Sequence, residues 1–217
     1  MMSGVEGMGY LASCEELDTP GDNYTMIVTS VSNGLRNSAS IVLTALPLSV
    51  NLVAGNSTTT SVSATWEFPE GVVDEFEVEC NNGTEMMSSV EDMGYLASCE
   101  ELDTPGDNYT MIVTSVSNGQ RNSASIVLTA LPLSVNLVAG NSTTTSVSAT
   151  WEFPGGVVDE FEVECNNGTK MMSSVEGMGY LAYCEELDTP GDNYTLIVTS
   201  VSNGQTNSAS IILTACK

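Results

Sequence analysis

Glu101-Leu102-Asp103-Thr104-Pro105-Gly106-Asp107-Asn108-Tyr109-Thr110-Met111-Ile112-Val113 joins a Pro-Gly turn to a tyrosine and then to an alternating strand, and its reading decides the fold. Proline presets φ at the first turn position, and glycine supplies the φ > 0 that the next position can require. Asp107 and Asn108 can cap free backbone groups through their short side chains. Tyr109 has an apolar ring to bury and a hydroxyl that needs a partner; in β-sandwiches that hydroxyl ties back to the backbone upstream. The stretch reads as the corner of a sandwich. The core from Leu102 to Tyr109 recurs at Leu17–Tyr24 and at Leu187–Tyr194, where Leu187, Pro190, Gly191 and Tyr194 hold the same places.

Working outward from the corner, the whole sequence proves periodic. Cys14, Cys99 and Cys184 recur 85 residues apart, as do Trp66 and Trp151. Residues 47–131 and 132–216 are two whole units that differ at only eight positions, and residues 1–46 match the second half of a unit. An internal repeat has to be found before any fold is argued. The expected organisation is thus an incomplete module over 1–46 and whole modules over 47–131 and 132–217. A unit of this length buries only about 60–65 % of its unfolded surface and gains from a covalent staple.

Within residues 47–131 the strands are marked by period-2 alternation. Val50 and Leu52 alternate in a first strand that is expected to stop at Ala54-Gly55-Asn56-Ser57. In Ser61–Phe68 the even positions Val62, Ala64, Trp66 and Phe68 are apolar and the odd ones polar. Phe76, Val78 and Cys80 then share one face of Glu75–Cys80, with Glu75, Glu77 and Glu79 on the other. Asn81-Asn82-Gly83 reads as a turn, residues 84–92 as a short edge strand with a loop, and Met93–Cys99 as the strand entering the corner. Tyr109–Ser115, the Asn118-Gly119 turn and a strand near Ala124–Thr129 complete the unit. Seven strands with frequent turns and no long helical periodicity predict tandem seven-stranded antiparallel β-sandwiches. Ala130-Leu131-Pro132 is a short, proline-containing linker that should limit bending between units. Residues 1–46 hold only half a sandwich, so their strands should order poorly alone or lean on a neighbour.

Leu102, Pro105, Gly106, Tyr109, Val113 and the upstream Trp66 resemble the signature of the fibronectin type III module, in which a strand-B tryptophan packs beneath a Leu-Pro-Gly-Tyr corner. Trp151, Leu187, Pro190, Gly191 and Tyr194 repeat the resemblance. Leu102 and Tyr109 stand one residue further apart than is usual in that family, which reads as a longer corner loop. The Thr-Ser-Val-Ser-Asn-Gly strand end and the repeated sequons are most similar to the ectodomains of receptor-type protein tyrosine phosphatases.

In the fold this resemblance implies, the position three residues before the corner leucine carries an inward side chain, which here is Cys99. Cys80 is inward by its own alternation, so a Cys80–Cys99 bridge between sheets is expected, and likewise Cys165–Cys184. Closing a loop of about 20 residues contributes roughly 3 kcal/mol on a chain-entropy argument and implies an oxidising compartment. The alternative is two buried thiols acting as small hydrophobes. Asn-x-Ser/Thr sequons begin at Asn56, Asn82, Asn141 and Asn167 in expected turns, where a glycan is tolerated. Those at Asn23, Asn108 and Asn193 crowd the corner tyrosine.

The remaining signals mostly exclude. A net charge of −24 repels nucleic acid and anionic membrane surfaces, while 15 % charged beside 41 % hydrophobic residues is a globular mixture. No stretch approaches the roughly 18 apolar residues of a membrane span. The Met1–Glu6 start has no signal-peptide character, so beside its extracellular signals the chain is expected to be a fragment or an incomplete gene model. The glutamate stripe lies along a flat face, whereas calcium needs converging oxygens, so no metal is expected. The Gly-x-Gly-x-x-Ala string beginning at Gly177 neither follows a strand nor opens a helix, so no dinucleotide cofactor is expected. With no histidine there is no Ser-His or Cys-His pair. The expectation is a non-catalytic extracellular array in a cell-surface receptor or adhesion protein, with protein partners and flanking modules of its own chain; the alternatives are an intracellular structural array, or accessory modules of a secreted enzyme. The Arg-Gly-Asp tripeptide some type III modules use is absent.

Overall fold

The computed structural model describes residues 3–6, 9–67, 70–80, 89–91, 94–165, 174–176 and 179–217. The described residues are strands and connections. Residues 1–46 contribute β1 (Ser3–Glu6), β2 (Gly9–Ala12), β3 (Asn23–Ser32) and β4 (Leu35–Thr44). The next repeat contributes β5 (Val53–Ser57), β6 (Val62–Trp66), β7 (Glu75–Cys80), β8 (Ser89–Glu91), β9 (Gly94–Cys99), β10 (Asn108–Ser117) and β11 (Gln120–Thr129). The last contributes β12 (Val138–Ser142), β13 (Val147–Glu152), β14 (Glu160–Cys165), β15 (Ser174–Glu176), β16 (Gly179–Cys184), β17 (Asn193–Ser202) and β18 (Gln205–Thr214).

Residues 132–217 show why these segments fold as they do. One sheet runs β12-β13-β16-β15 and the other β14-β17-β18. Their pairings are antiparallel. Alternation sends Val147, Ala149, Trp151, Ala182 and Cys184 inward from the first sheet, against Val163, Cys165, Leu196, Val198 and Leu213 of the second. Trp151 stacks on Tyr180 with ring centroids 5.5 Å apart, and Phe161 meets both rings edge-on. Such contacts add about 0.5–1.5 kcal/mol per pair to the area buried. Strands β5 to β11 repeat the two sheet orders, as β5-β6-β9-β8 and β11-β10-β7. Trp66 is again buried and stacks on Tyr95. The architecture is tandem antiparallel β-sandwiches.

By packing, the chain gathers into two compact units. One comprises Met1–Ala54, Ala64–Ser98 and Met111–Ile126; the other comprises Gly55–Ser63, Cys99–Thr110 and Val127–Lys217. In each, a corner is grouped with elements of the repeat that follows it.

Two local expectations are corrected and a third is borne out. Residues 48–52 form no strand; the first strand is Val53–Ser57, so Ala54-Gly55-Asn56-Ser57 lies within it. Gly55 permits this, because a Cβ there would stand 2.6 Å from Ser63 Oγ, and Gly140 lies equally close to Ser148. Glycine here allows close approach of two strands at an irregular register. The turn falls later, where the Thr58 amide donates to the Ser61 carbonyl. The last strand begins at Gln120, directly after the Asn118-Gly119 turn, since both residues take φ > 0 and make the two-residue hairpin compact. The short strand expected within residues 84–92 is Ser89–Glu91, paired with β9.

Candidate functional site at the corner joint

The corner builds a site that its sequence only half announces. Tyr109 Oη donates to the Thr104 carbonyl and accepts from the Thr104 amide, both at 3.1 Å. Tyr24 and Tyr194 close the same loop on Thr19 and Thr189. Leu102 and Leu187 are buried beneath it. Glu101 and Glu186, just before those leucines, take φ of 55°, a left-handed kink that few non-glycine residues adopt. The corner loop turns there.

With the loop fixed, its Pro-Gly tip presents two carbonyls outward, and both are bonded. The Pro105 carbonyl accepts from the Val157 amide at 2.8 Å. The Gly106 carbonyl accepts from Ser202 Oγ at 2.8 Å and from Asn203 Nδ2 at 3.0 Å. Asn203 is held in turn by its amide donating to Asp159 Oδ2 at 2.7 Å. The Gly106 amide donates to the Leu131 carbonyl, and Asn207 Nδ2 to the Pro132 carbonyl, so the linker is sewn to both sides. Glycine is required at the tip: Gly106 has φ of 83°, and a Cβ would lie 2.1 Å from the Val157 carbonyl.

The first corner makes the same joint. The Pro20 carbonyl accepts from the Val72 amide, and the Gly21 carbonyl from Ser117 Oγ and Asn118 Nδ2 at 3.0 and 2.9 Å. The Asn118 amide donates to Asp74 Oδ2. At the third corner a Cβ on Gly191 would meet only the flexible Lys217 side chain. In the sequence Asn118 reads only as a turn residue and Ser117 only as part of a strand end, and neither they nor Asp74, Asp159, Ser202 and Asn203 show the joint they form. Near-identity of the repeats hid them, since structural and functional positions recur alike; Gly71 and Gly156, packed against the Pro20 and Pro105 carbonyls, were the available signal.

Cys165 and Cys184 are bridged with Cα atoms 6.0 Å apart, and Cys80 and Cys99 are each disulfide-bonded. Asn56 and Asn141, expected in turns, are instead exposed strand residues of β5 and β12, so a glycan there would project from an edge. Asn82 and Asn167 lie outside the described residues. Asn108 and Asn193 are exposed, with their side-chain oxygens accepting from Thr129 and Thr214. Glu75 and Glu79 face solvent, and Arg121 forms an ion pair with Glu77. Among the described residues no group of three or more acidic, cysteine or histidine side chains could hold a metal ion, and no helix is long and apolar enough to cross a membrane.

No family model matches the chain. Among solved structures it is similar to a two-domain fibronectin type III segment of chicken tenascin, at 20% identity, over 76% of this chain and 98% of that one, with a TM-score of 0.49. It is also similar to the central fibronectin III array of RIM-binding protein, at 20% identity over 77% and 68%, with a TM-score of 0.30. Both are fibronectin type III tandems, and a tandem of titin immunoglobulin domains is also among its structural neighbours. Strand order, register and the bonded corner define the sandwich. In these tandem sandwiches the corner both closes on its own tyrosine and carries the carbonyls that the next repeat bonds.

Proposed function

We propose that this chain is the binding and spacer region of a cell-surface receptor or adhesion protein, a non-catalytic extracellular array of fibronectin type III modules. The observation that carries this reading is the joint. The same carbonyl pair at two successive corners is held by the same serine, asparagine and aspartate-braced turn, so spacing between repeats is set by hydrogen bonds as well as by linker length. An array whose joints are bonded transmits position, which is what a spacer does. Oxidised cysteines and exposed sequon asparagines support an oxidising, glycosylating compartment. The acidic surface keeps the array off nucleic acid and anionic lipid. Expression of the chain through a secretory pathway tests this. Glycosidase-sensitive mass on Asn56 or Asn141 and a gel mobility that changes on reduction are expected. An unglycosylated chain with all thiols reduced in its native source would instead favour an intracellular structural array.

A further inference from the structure

We infer that the two-residue turns Asn118-Gly119 and Asn203-Gly204 are sites of spontaneous modification, where loss of the asparagine side-chain amide to water turns a donor of the joint into a carboxylate and unlocks the corner. This rests on the bonds of the joint alone and is independent of the compartment and role proposed above.

The ingredients of the chemistry sit together at the turn. When glycine follows asparagine, no side chain on the second residue keeps its backbone nitrogen from the side-chain amide carbon of the first. Asn203 and Gly204 are exposed, with φ of 47° and 79°, and Asn118 and Gly119 match them at 49° and 77°. A Cβ at either glycine would meet nothing within 4 Å, so the space beside the attacking nitrogen is open. Asn207 is the contrast. Its Nδ2 also holds a carbonyl of the joint, that of Pro132, but it precedes Ser208 within the ladder of β17 and β18.

Water is the only co-reactant. The Gly204 nitrogen gives its proton to solvent and bonds to Asn203 Cγ. The Cγ–Nδ2 bond then breaks, and ammonia departs with that electron pair and a proton from solvent, leaving a cyclic imide. Water opens one of the two C–N bonds that the imide shares with the chain. The product is aspartate or, with the main chain rerouted through the side chain, isoaspartate.

The joint sets the rate. Asn203 Nδ2 donates to the Gly106 carbonyl at 3.0 Å, and the Asn203 amide to Asp159 Oδ2 at 2.7 Å. Asn118 is tied in the same way to the Gly21 carbonyl and to Asp74. Bringing Cγ onto the following nitrogen rotates the side chain and takes Nδ2 off that carbonyl, so conversion proceeds from the locally opened joint and scales with its population. Afterwards the lock does not reform. A carbonyl only accepts, and a carboxylate offers it acceptors in place of a donor, with a second negative charge beside Asp159.

The test ages the full chain in mildly alkaline buffer, folded or unfolded in guanidinium chloride with its disulfides intact, and reads each asparagine by peptide mapping with mass spectrometry. The folded chain should convert at Asn118 and Asn203 about tenfold or more slowly than the unfolded one. Asn207 should not convert in the folded chain. Asp159→Ala removes the brace from Asn203, so it should speed conversion there several-fold and leave Asn118 unchanged; Asp74→Ala should do the reverse. Both aspartates are exposed, so folding is not at stake. In the converted fraction, and in Asn203→Asp, the Val157 amide, which donates to the Pro105 carbonyl, should exchange markedly faster with solvent, while the Thr104 amide held by Tyr109 stays protected. Equal rates in folded and unfolded chains, no conversion in the folded chain even with Asp159→Ala, rates indifferent to both aspartates, or a Val157 amide still protected in Asn203→Asp would each overturn the proposal.

Discussion

The hairpins β3–β4 and β10–β11 differ in sequence at one position, Leu35 against Gln120, yet they live in different surroundings. Val113 is 0 % exposed and its counterpart Val28 56 %; Leu128 is 4 % exposed and Leu43 41 %. Val127 and Val42, on the outer face, are alike at 63 % and 62 %. Strand formation is therefore local, carried by β-branched residues and a two-residue turn, whereas burial is conferred by a facing sheet that only the whole repeat supplies. An isolated hairpin is marginal in water. The largest expected consequence is all-or-none: residues 47–131 expressed alone should give a dispersed amide NMR spectrum and a cooperative melt, and residues 1–46 alone neither. A dispersed spectrum from the shorter piece would break the comparison.

Single substitutions sharpen it. Trp66→Ala removes a buried ring stacked on Tyr95 and set edge-on to Phe76, and should cost roughly 3–5 kcal/mol in urea melts of residues 47–131. Leu128→Ala should cost about 2–5 kcal/mol for the same reason, while Leu43→Ala in the full chain should stay within about 0.5 kcal/mol. If both leucines cost the same, the exposed face of β3–β4 is covered in solution.

A smaller effect separates the joint from the corner. Gly106→Ala and Gly191→Ala both put a Cβ at positive φ, a cost of about 1–2 kcal/mol. Only Gly106→Ala also drives that Cβ into the Val157 carbonyl. The excess destabilisation of Gly106→Ala, read by thermal melting, together with a loss of fixed inter-repeat orientation in residual dipolar couplings, measures the joint. Identical behaviour of the two variants would mean that the Gly106 carbonyl bonds do not hold the repeats.

What was legible in the sequence was whatever follows from side-chain alternation and turn chemistry. Val62, Ala64 and Trp66 are buried as their even spacing requires, and Asn118-Gly119 makes the turn its φ preferences favour. What was not legible depends on close approach between segments far apart in sequence. Gly55 looks like a turn residue until Ser63 is seen against it, and nothing near Asn203 says that its amide group will meet the Gly106 carbonyl. Pro-Gly at the corner is a turn in sequence and in structure alike, but its second use, as an acceptor pair for the next repeat, comes only from tertiary structure.

The finest test of the comparison is the tyrosine hydroxyl. Tyr109→Phe keeps the ring that fills the space beneath the corner and loses the bonds to the Thr104 amide and carbonyl, so about 1–1.5 kcal/mol is expected in residues 47–131. Tyr24 makes the same two bonds to Thr19, but its residue is only partly buried, whereas Tyr109 is buried. Water can replace a lost bond where it can reach, so Tyr24→Phe should cost less. Amide hydrogen exchange reads both sites separately in the full chain: protection of the Thr104 amide should fall markedly in Tyr109→Phe, and protection of the Thr19 amide should change less in Tyr24→Phe. Equal losses would mean that the corner is a self-sufficient loop whose strength owes nothing to the sandwich beneath it, and the contrast drawn from Val28 and Val113 would then stop at the hairpin and not extend to the turn.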